Sequence, residues 1–214
     1  MKIIFLGTPG FAVPSLDILV RNGYEIPAVI TAPDKPAGRG QKLAESDVKK
    51  YAVSKGLNVL QPVKLGDAGL LDTVKSLKAD LQIVVAFRMM PEKLWAMPPL
   101  GTFNLHGSLL PQYRGAAPIN RAVMNGEKFT GVPTFFLKQE IDTGNIVFRE
   151  RIDIGPDESA GELHDRMMVV GAELVLKTVK AIEAGNAPMH SQDEFVNEGE
   201  ILLPAPKIFK QDAL

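Results

Sequence analysis

Seven residues, Leu81-Gln82-Ile83-Val84-Val85-Ala86-Phe87, form an almost continuous apolar run that is rich in β-branched side chains. Such a run is apolar on both of its faces, which is typical of a central strand in a parallel sheet that is covered on both sides. The run therefore predicts a buried strand in the middle of an open sheet.

Strand and helix signals alternate around this run. Short apolar runs predict further strands, and spacings of three and four predict helices between them. The predicted strands are Lys2–Leu6, Ile26–Thr31, Asn58–Leu60 and Thr102–Leu105, and the predicted helices cover residues 11–22, 44–55 and about 67–78. The alternation predicts an α/β fold with an open, twisted, mostly parallel, Rossmann-like sheet and helices on both faces.

The pattern changes in the second half of the chain. A helix is predicted near residues 116–125, and two β-rich runs, Val132–Leu137 and Asn145–Ile154, predict an antiparallel addition to the sheet. Ser159 and Glu162 have the spacing of a capping box and predict the start of a long helix to about Ala184. The final thirty residues show no clear periodicity.

The composition indicates a globular protein with one large domain, or one domain and a small appendage. The 214 residues include 45% hydrophobic and 23% charged residues, with a net charge of −1, so no overall basic field favours non-specific nucleic-acid binding. Cysteine is absent, and three distant histidines, at 106, 164 and 190, do not suggest a metal site. No run has the length of a membrane span. We expect a soluble, cytoplasmic protein without a metal.

Polar side chains mark the end of the predicted strand Thr102–Leu105. Asn104 and His106 are two residues apart, so strand geometry directs both to the same side of the sheet. Gly107, Pro111 and Gly115 then predict an irregular loop with free backbone groups.

A carboxylate, Asp142, follows at another predicted strand end, in the turn Asp142-Thr143-Gly144. Taken singly, Asn104, His106 and Asp142 have ordinary structural interpretations: a buried loop tie, a satisfied core histidine and a turn residue. Together they supply an electrophile binder, a proton carrier and a base. Because strand ends of an open α/β sheet meet at one edge, we expect the three to share a site.

Two loops invite functional interpretations. Gly7-Thr8-Pro9-Gly10-Phe11 follows the first strand, but Pro9 stands where a dinucleotide motif has its second glycine. A sharp turn that borders a substrate pocket is the favoured interpretation. The segment Asp34–Lys42 carries three cations, Lys35, Arg39 and Lys42, among glycines and a proline. Its composition fits either a solvated mobile loop or an arm that becomes ordered on phosphates.

The chain resembles the folate-dependent formyltransferases in four motifs: Asn104-x-His106, Ser108-Leu109-Leu110-Pro111, Arg114-Gly115 and Asp142-Thr143-Gly144. A closer similarity, to the members of that family that act on methionyl-tRNA, rests on Gly7-Thr8-Pro9-x-Phe11, Pro33–Gly40 and Arg114–Ile119. The resemblance covers residues 1 to about 210. It implies transfer of a formyl group from 10-formyltetrahydrofolate to the amino group of methionine on initiator tRNA, in translation initiation.

The resemblance also implies roles for individual residues. Asn104, His106 and Asp142 would be catalytic, and no metal would be needed. The folate co-substrate would bind Ser108, Leu109, Leu110, Pro111, Phe87, Arg88, Met89 and Ile141. Phe11 would lie near the methionyl group, and Lys35, Arg39 and Lys42 would contact the tRNA.

The expected chemistry suits the catalytic residues. An amine that attacks a formamide carbon creates an oxyanion, which the Asn104 amide and an N–H of His106 can stabilise. Such preorganised donors are each worth about 10²–10³ in rate. Asp142 can accept the proton of the amine, directly or through water.

The sequence departs from the family pattern in two ways. Arg88 stands where the family has a small residue, and the family's C-terminal β-barrel domain is not in this chain. We therefore expect a catalytic domain over residues 1–205 and the start of a linker at 206–214. The alternatives are a formyltransferase for glycinamide ribonucleotide or an amino sugar, a formyl-folate hydrolase, and an inactive folate- or RNA-binding module. The basic Pro33–Gly40 segment weighs against the other enzymes, and the intact trio weighs against an inactive module.

Overall fold

The structure is a computed structural model that describes residues 1–37, 42–209 and 212. The chain divides into two compact units, residues 1–104 and 105–214. None of the helices within the described residues is long and apolar enough to cross a membrane.

The first unit alternates strands and helices as the sequence predicts. Its strands are β1 (Lys2–Gly7), β2 (Glu25–Ile30), β3 (Lys35–Ala37), β4 (Lys42–Ala44), β5 (Val59–Leu60), β6 (Leu81–Val85) and β7 (Thr102–Leu105). Its helices are α1 (Val13–Arg21), α2 (Asp47–Ser54), α3 (Ala68–Ser76) and the short α4 (Glu92–Trp95), with a 3₁₀ turn at Gly10–Ala12.

The sheet of this unit has the order β5-β2-β1-β6-β7. The pairs β1–β2, β1–β6 and β2–β5 are parallel. All five residues of β6 are buried, as its two-sided apolar run predicts. β6 is a central strand, since it lies between β1 and β7.

Several element boundaries differ from the prediction by one to three residues, and two differences bear on the candidate site. The strand predicted over Leu81–Phe87 ends at Val85, because Ala86 has a φ of 47° and cannot continue an extended strand. The basic segment Asp34–Lys42 has the composition of a loop, but its residues Lys35–Ala37 are strand β3. This strand pairs antiparallel with β4, so a short hairpin stem occupies the predicted loop.

The second unit contains the predicted antiparallel pair. Its elements are α5 (Pro118–Met124), β8 (Phe129–Phe136), β9 (Ile146–Asp153), α6 (Ala160–Glu183) and a 3₁₀ helix at Gln192–Phe195. β8 and β9 pair from Phe129 and Asp153 to Phe135 and Ile146, and α6 packs on both strands. The predicted α/β class with an antiparallel addition is confirmed.

Helix α6 begins as the capping box predicts. Ser159 Oγ accepts the backbone N–H of Glu162, and the Glu162 carboxylate accepts the N–H of Ser159 in return. The same arrangement opens the 3₁₀ helix, where Ser191 and Glu194 are the two partners. A local cap thus gives structure to part of the tail that lacks periodicity.

Candidate functional site

Strand β7 presents the first two candidate residues. Asn104 is its second-last residue and His106 the first residue beyond it. The N–H of His106 donates to the carbonyl of Pro133 at 3.1 Å, and its ring stands edge-on to Phe135, with centroids 6.4 Å apart. Phe135 is fully buried with Leu110 and Ile146. The imidazole, itself only 7% exposed, is therefore held against an apolar wall.

A backbone carbonyl orients the His106 ring. The Nε2 atom of His106 lies 3.0 Å from the carbonyl oxygen of Tyr113. Since a carbonyl can only accept, Nε2 carries the proton, and Nδ1 of a neutral ring is left as an acceptor. Ser108 Oγ supports the same loop by donating to the carbonyl of Gln112 at 2.6 Å.

Tyr113 adopts a backbone conformation that is rare for a bulky residue, with a φ of 58°. Its buried phenol donates to a carboxylate oxygen of Glu127 at 2.5 Å and accepts from Asn125 Nδ2 at 3.0 Å. Burial, together with the bond to Glu127, raises the pKa of Tyr113. The anchored side chain holds the residue in the conformation whose carbonyl meets His106.

Asp142 also has a left-handed backbone, with a φ of 54°. Its Oδ2 accepts the backbone N–H of Gly115 at 3.1 Å. A Cβ on Gly144 would lie 1.5 Å from the carbonyl oxygen of Phe136, so only glycine fits there. The turn Asp142-Thr143-Gly144 therefore needs glycine at its third position because a larger residue would overlap the backbone of Phe136.

Two candidate residues, His106 and Asp142, contact one short segment of the chain. His106 contacts Tyr113 and Asp142 contacts Gly115, two residues further along. Asn104 contributes a buried Oδ1 atom with no hydrogen-bond partner among the described residues. An unpaired buried amide oxygen is costly, so it is suited to an N–H donor that arrives with a ligand. The arrangement offers an amide, an oriented imidazole and a carboxylate.

The loop of residues 112–117, here called the site loop, is held in place by the C-terminal segment, residues 200–206. The N–H of Tyr113 donates to Leu203 at 2.8 Å, and Ala205 exchanges backbone bonds with Arg114 and Ala116 at 2.8 and 2.7 Å. A Cβ on Gly115 would lie 2.6 Å from the carbonyl oxygen of Ala205. Glycine at 115 therefore permits the close approach of the two segments.

A residue that the sequence analysis missed also contacts the site loop. Gln192 is 3% exposed and bonds both to Arg114 and to the turn that contains Asp142. It lies fifty residues after Asp142 in an aperiodic tail. The only local signal is the capping-box spacing of Ser191 and Glu194, which predicts a helical turn but no contact.

The predicted folate residues Ser108–Pro111 have their side chains turned inward. Ser108 and Leu110 are 0% exposed, and Leu109 is 8% exposed. Gly131 makes room for Leu109, because a Cβ there would lie 2.6 Å from Leu109 Cδ2. The Leu110–Pro111 bond is cis. A ligand at this loop would therefore meet mainly backbone, whereas the neighbouring candidate Ile141 is 57% exposed.

The predicted folate residues Phe87–Met89 belong to the first unit. The guanidinium of Arg88 donates to the carbonyls of Pro62 and Val63, the latter at 2.8 Å. It also lies over the Phe87 ring, 5.8 Å from the centroid. Arg88 thus ties this strand end to the loop at 62–63, while Met89 is 74% exposed.

The first predicted loop is a tight structural turn. Phe11 is 6% exposed, and a Cβ on Gly7 would lie 2.8 Å from the Cβ of Ala12. Glycine at 7 therefore serves close packing within the turn.

Asp34, the first residue of the basic segment, is held by hydrogen bonds from two side chains. Asp34 accepts from Lys49 Nζ at 2.5 Å and from Gln61 Nε2 at 2.7 Å, and the Lys49 bond holds the pKa of Asp34 below its usual value. Lys35 is exposed on β3. Arg39 lies outside the described residues, and so does the side chain of Lys42.

Among the described residues, no group of three or more histidine or acidic side chains is placed to hold a metal ion.

The chain is similar to known proteins over nearly all of its length. It is 54% identical to methionyl-tRNA formyltransferase of Bacteroides fragilis over 99% of this chain, and 56% identical to that of Parabacteroides distasonis over 98%. The chain spans 65% of the length of each of these relatives, just under two thirds.

Solved structures share the fold at low sequence identity. A phosphoribosylglycinamide formyltransferase from Anaplasma phagocytophilum superposes with a TM-score of 0.74 at 21% identity, covering 95% of this chain and 98% of that one. An N-formyltransferase from Helicobacter canadensis gives 0.71 at 23% identity, covering 99% and 72%. The formyl transferase family model matches residues 1–179. This match covers most of both units, and the chain therefore belongs to the formyl transferase family.

Proposed function

We propose that this chain transfers a formyl group from 10-formyltetrahydrofolate to the amino group of methionine on initiator tRNA, as a methionyl-tRNA formyltransferase. The observation that carries the chemistry is the attachment of His106 and Asp142 to one segment, Tyr113–Gly115. The identity of more than half of the residues with relatives of that name supports the acceptor.

In this proposal Asn104 and His106 bind the oxygen of the reacting formyl group. Both are at the end of β7. Asn104 can donate through the hydrogens of its side-chain amide, and His106 can donate through Nδ1 when its ring carries both protons, since Nε2 is engaged by the carbonyl of Tyr113. The co-substrate supplies the formyl group. Two preorganised donors at an oxygen that gains charge would each be worth about 10²–10³ in rate.

Asp142 is the proposed acceptor of the amine proton. Its carboxylate is half-buried, and Oδ2 accepts the backbone N–H of Gly115 in the site loop. The bond fixes the direction of the carboxylate and leaves lone pairs for a proton. General-base assistance of this kind contributes about 10²–10⁴ in rate.

The folate is proposed to bind at Ser108–Pro111, Phe87–Met89 and Ile141. Inward side chains at Ser108–Leu110 leave backbone groups to meet the ligand, and Ile141 and Met89 are exposed apolar side chains. A planar ring binds well between apolar surface and backbone polar groups. Phe11, Lys35, Arg39 and Lys42 are proposed contacts of the tRNA acceptor end, in the cytoplasm where translation begins.

Residues 1–205 are the proposed catalytic domain, and residues 206–214 the proposed start of a linker. Ala205 supports this division because it pairs in backbone with Arg114, Ala116 and Ala117 of the site loop. After Ala205, the described contacts to the rest of the unit are fewer and involve the Arg121 side chain.

One assay tests the proposal. Purified chain is incubated with 10-formyltetrahydrofolate and, separately, charged initiator tRNA at high concentration, glycinamide ribonucleotide, an amino sugar nucleotide, or no acceptor. We expect formylation of the methionyl-tRNA only. Transfer to another acceptor would establish one of the other enzyme activities, and formate release without acceptor would establish a hydrolase. Donor binding without any turnover would indicate an inactive module.

A further inference from the structure

The side chain of Gln192 joins the two segments that hold His106 and Asp142. Its Oε1 accepts from Arg114 Nε at 3.1 Å and Nη2 at 2.6 Å, and its Nε2 donates to the carbonyls of Asp142 at 2.7 Å and Gly144 at 3.0 Å. A carboxamide has two acceptor positions on oxygen and two hydrogens on nitrogen. All four are used, in a side chain that is 3% exposed.

Only an amide suits this position. Its acceptor end faces a guanidinium, and its donor end faces two carbonyl oxygens. Glutamate would keep the bond to Arg114 but would place a carboxylate against the two carbonyls. Methionine has a similar shape but would make none of the four bonds. A buried group that loses its partner carries its full desolvation cost.

Each of the two segments joined by Gln192 contains a residue with a left-handed backbone conformation, Tyr113 in one and Asp142 in the other. Asp142 has a φ of 54°, and its carbonyl is one of the two that Gln192 binds. Arg114 stands between Tyr113, whose carbonyl contacts His106, and Gly115, whose N–H contacts Asp142. Gln192 therefore fixes the spacing between the carboxylate turn and the site loop that orients the imidazole.

We propose that Gln192 is a positioning residue for formyl transfer. It acts through Asp142 and Arg114 and does not itself reach the reacting atoms. The expected loss of formyl transfer rests on the proposed function. The expected loosening of the contact between Gly115 and Asp142 does not.

The activity test compares Gln192→Met and Gln192→Glu with the unmodified chain. We expect kcat for formylation of methionyl-tRNA to fall by about 10²-fold in both, the cost of a small misplacement of a reacting group. KM for the formyl donor should stay within about twofold, because donor contacts are unchanged. Both variants are assayed well below their own melting temperatures, so that a fall in kcat reports positioning and not unfolding. Glu198→Gln, an exposed change on the same segment, is the control and should leave all values unchanged.

A second measurement does not depend on activity. The Gly115 amide donates to Asp142, so its hydrogen exchange, followed by NMR, reports on the contact that Gln192 is proposed to hold. We expect exchange at Gly115 to rise at least about tenfold in Gln192→Met, while the core amide of Ile83 is unchanged. Unchanged exchange at Gly115, or full turnover in both variants, would overturn the proposal. If the unmodified chain transfers no formyl group, the proposed function fails, and exchange at Gly115 still decides the role of Gln192.

Discussion

The Nε2 atom of His106 lies 3.0 Å from the carbonyl oxygen of Tyr113, and this contact sets the tautomer of the ring. The two other histidines have the opposite arrangement. Nδ1 of His164 lies 3.0 Å from a carboxylate oxygen of Asp165, and Nδ1 of His190 lies 3.0 Å from one of Glu194. Each acceptor requires a proton on the ring nitrogen that faces it.

The first prediction concerns these tautomers. In ¹H–¹⁵N correlation spectra of histidine-labelled chain, the neutral ring of His106 should carry its proton on Nε2. His164 and His190 should carry theirs on Nδ1 and serve as internal controls. A neutral His106 protonated on Nδ1 would contradict the assigned contact with Tyr113, and with it the availability of Nδ1 to a ligand.

Replacing Asp142 by Asn should remove the base and keep the fold. The amide oxygen can still accept the N–H of Gly115, so the melting temperature and the affinity for a formyl-folate analogue should be retained. Formylation of methionyl-tRNA should fall by about 10²–10⁴-fold, the usual contribution of a positioned base. Activity within a few fold of the unmodified chain, measured at saturating tRNA, would rule out Asp142 as the proton acceptor.

Arg39→Ala addresses the basic segment. Loss of one phosphate contact should weaken tRNA use and reduce the salt dependence of tRNA binding by a slope of about one. Binding of the folate analogue should not change. Lys75→Ala, which removes an exposed cation on α3, controls for net charge. If Arg39→Ala formylates subsaturating tRNA at the unmodified rate, the segment is a solvated loop and not a tRNA arm.

Gly144→Ala should be strongly destabilising. The added Cβ would lie 1.5 Å from the carbonyl oxygen of Phe136, and no rotamer change relieves an overlap with backbone. We expect a loss of about 3 kcal/mol or more in the free energy of unfolding, measured in denaturant. Gly161→Ala is the control, since its Cβ meets nothing closer than 3.9 Å at the start of α6. It should be neutral or stabilising by up to about 1 kcal/mol.

The last prediction uses the pH dependence of stability. The bond from Arg166, followed by the Gly155 N–H, holds the pKa of Glu158 below its usual 4.5. A carboxyl with a lowered pKa stabilises the fold above its unfolded pKa, and this contribution disappears as the pH falls through the folded value. Glu158→Gln should therefore lower the melting temperature at neutral pH and converge with the unmodified chain under acid conditions. Glu173→Gln, exposed on α6, should show no such convergence. A deficit of Glu158→Gln that is unchanged in acid would refute the assignment.

The elements with regular periodicity could be predicted from the sequence. The run at Leu81–Phe87 indicated a buried strand, and the capping box at Ser159 indicated the start of α6, because both depend on local patterns. The placement of His106 and Asp142 at strand ends predicts a shared site, and their contacts with Tyr113 and Gly115 agree with that prediction. These are rules that need only neighbouring residues and a fold class.

What the sequence could not predict depends on contacts between distant segments. Ala86, Tyr113 and Asp142 have left-handed backbones although none is glycine. Bonds to distant residues, Glu127 for Tyr113 and Gln192 for Asp142, accompany two of these conformations. The four bonds of Gln192 likewise join positions up to 78 residues apart. No local propensity contains such information.

The pairing of the site loop with the C-terminal segment gives chain synthesis a fixed order. Gln112 Oε1 accepts the N–H of Leu203, 91 residues later, and the N–H groups of Tyr113 and Ala116 donate to the carbonyls of Leu203 and Ala205. At about 5–20 residues per second, a ribosome needs several seconds to proceed from Asp142 to Ala205. A nascent chain can thus form β1 to β9 while its site loop still lacks these partners. A chain interrupted at about 200 residues would contain strands β1 to β9 but would lack the carbonyl partners of its site loop at Leu203 and Ala205.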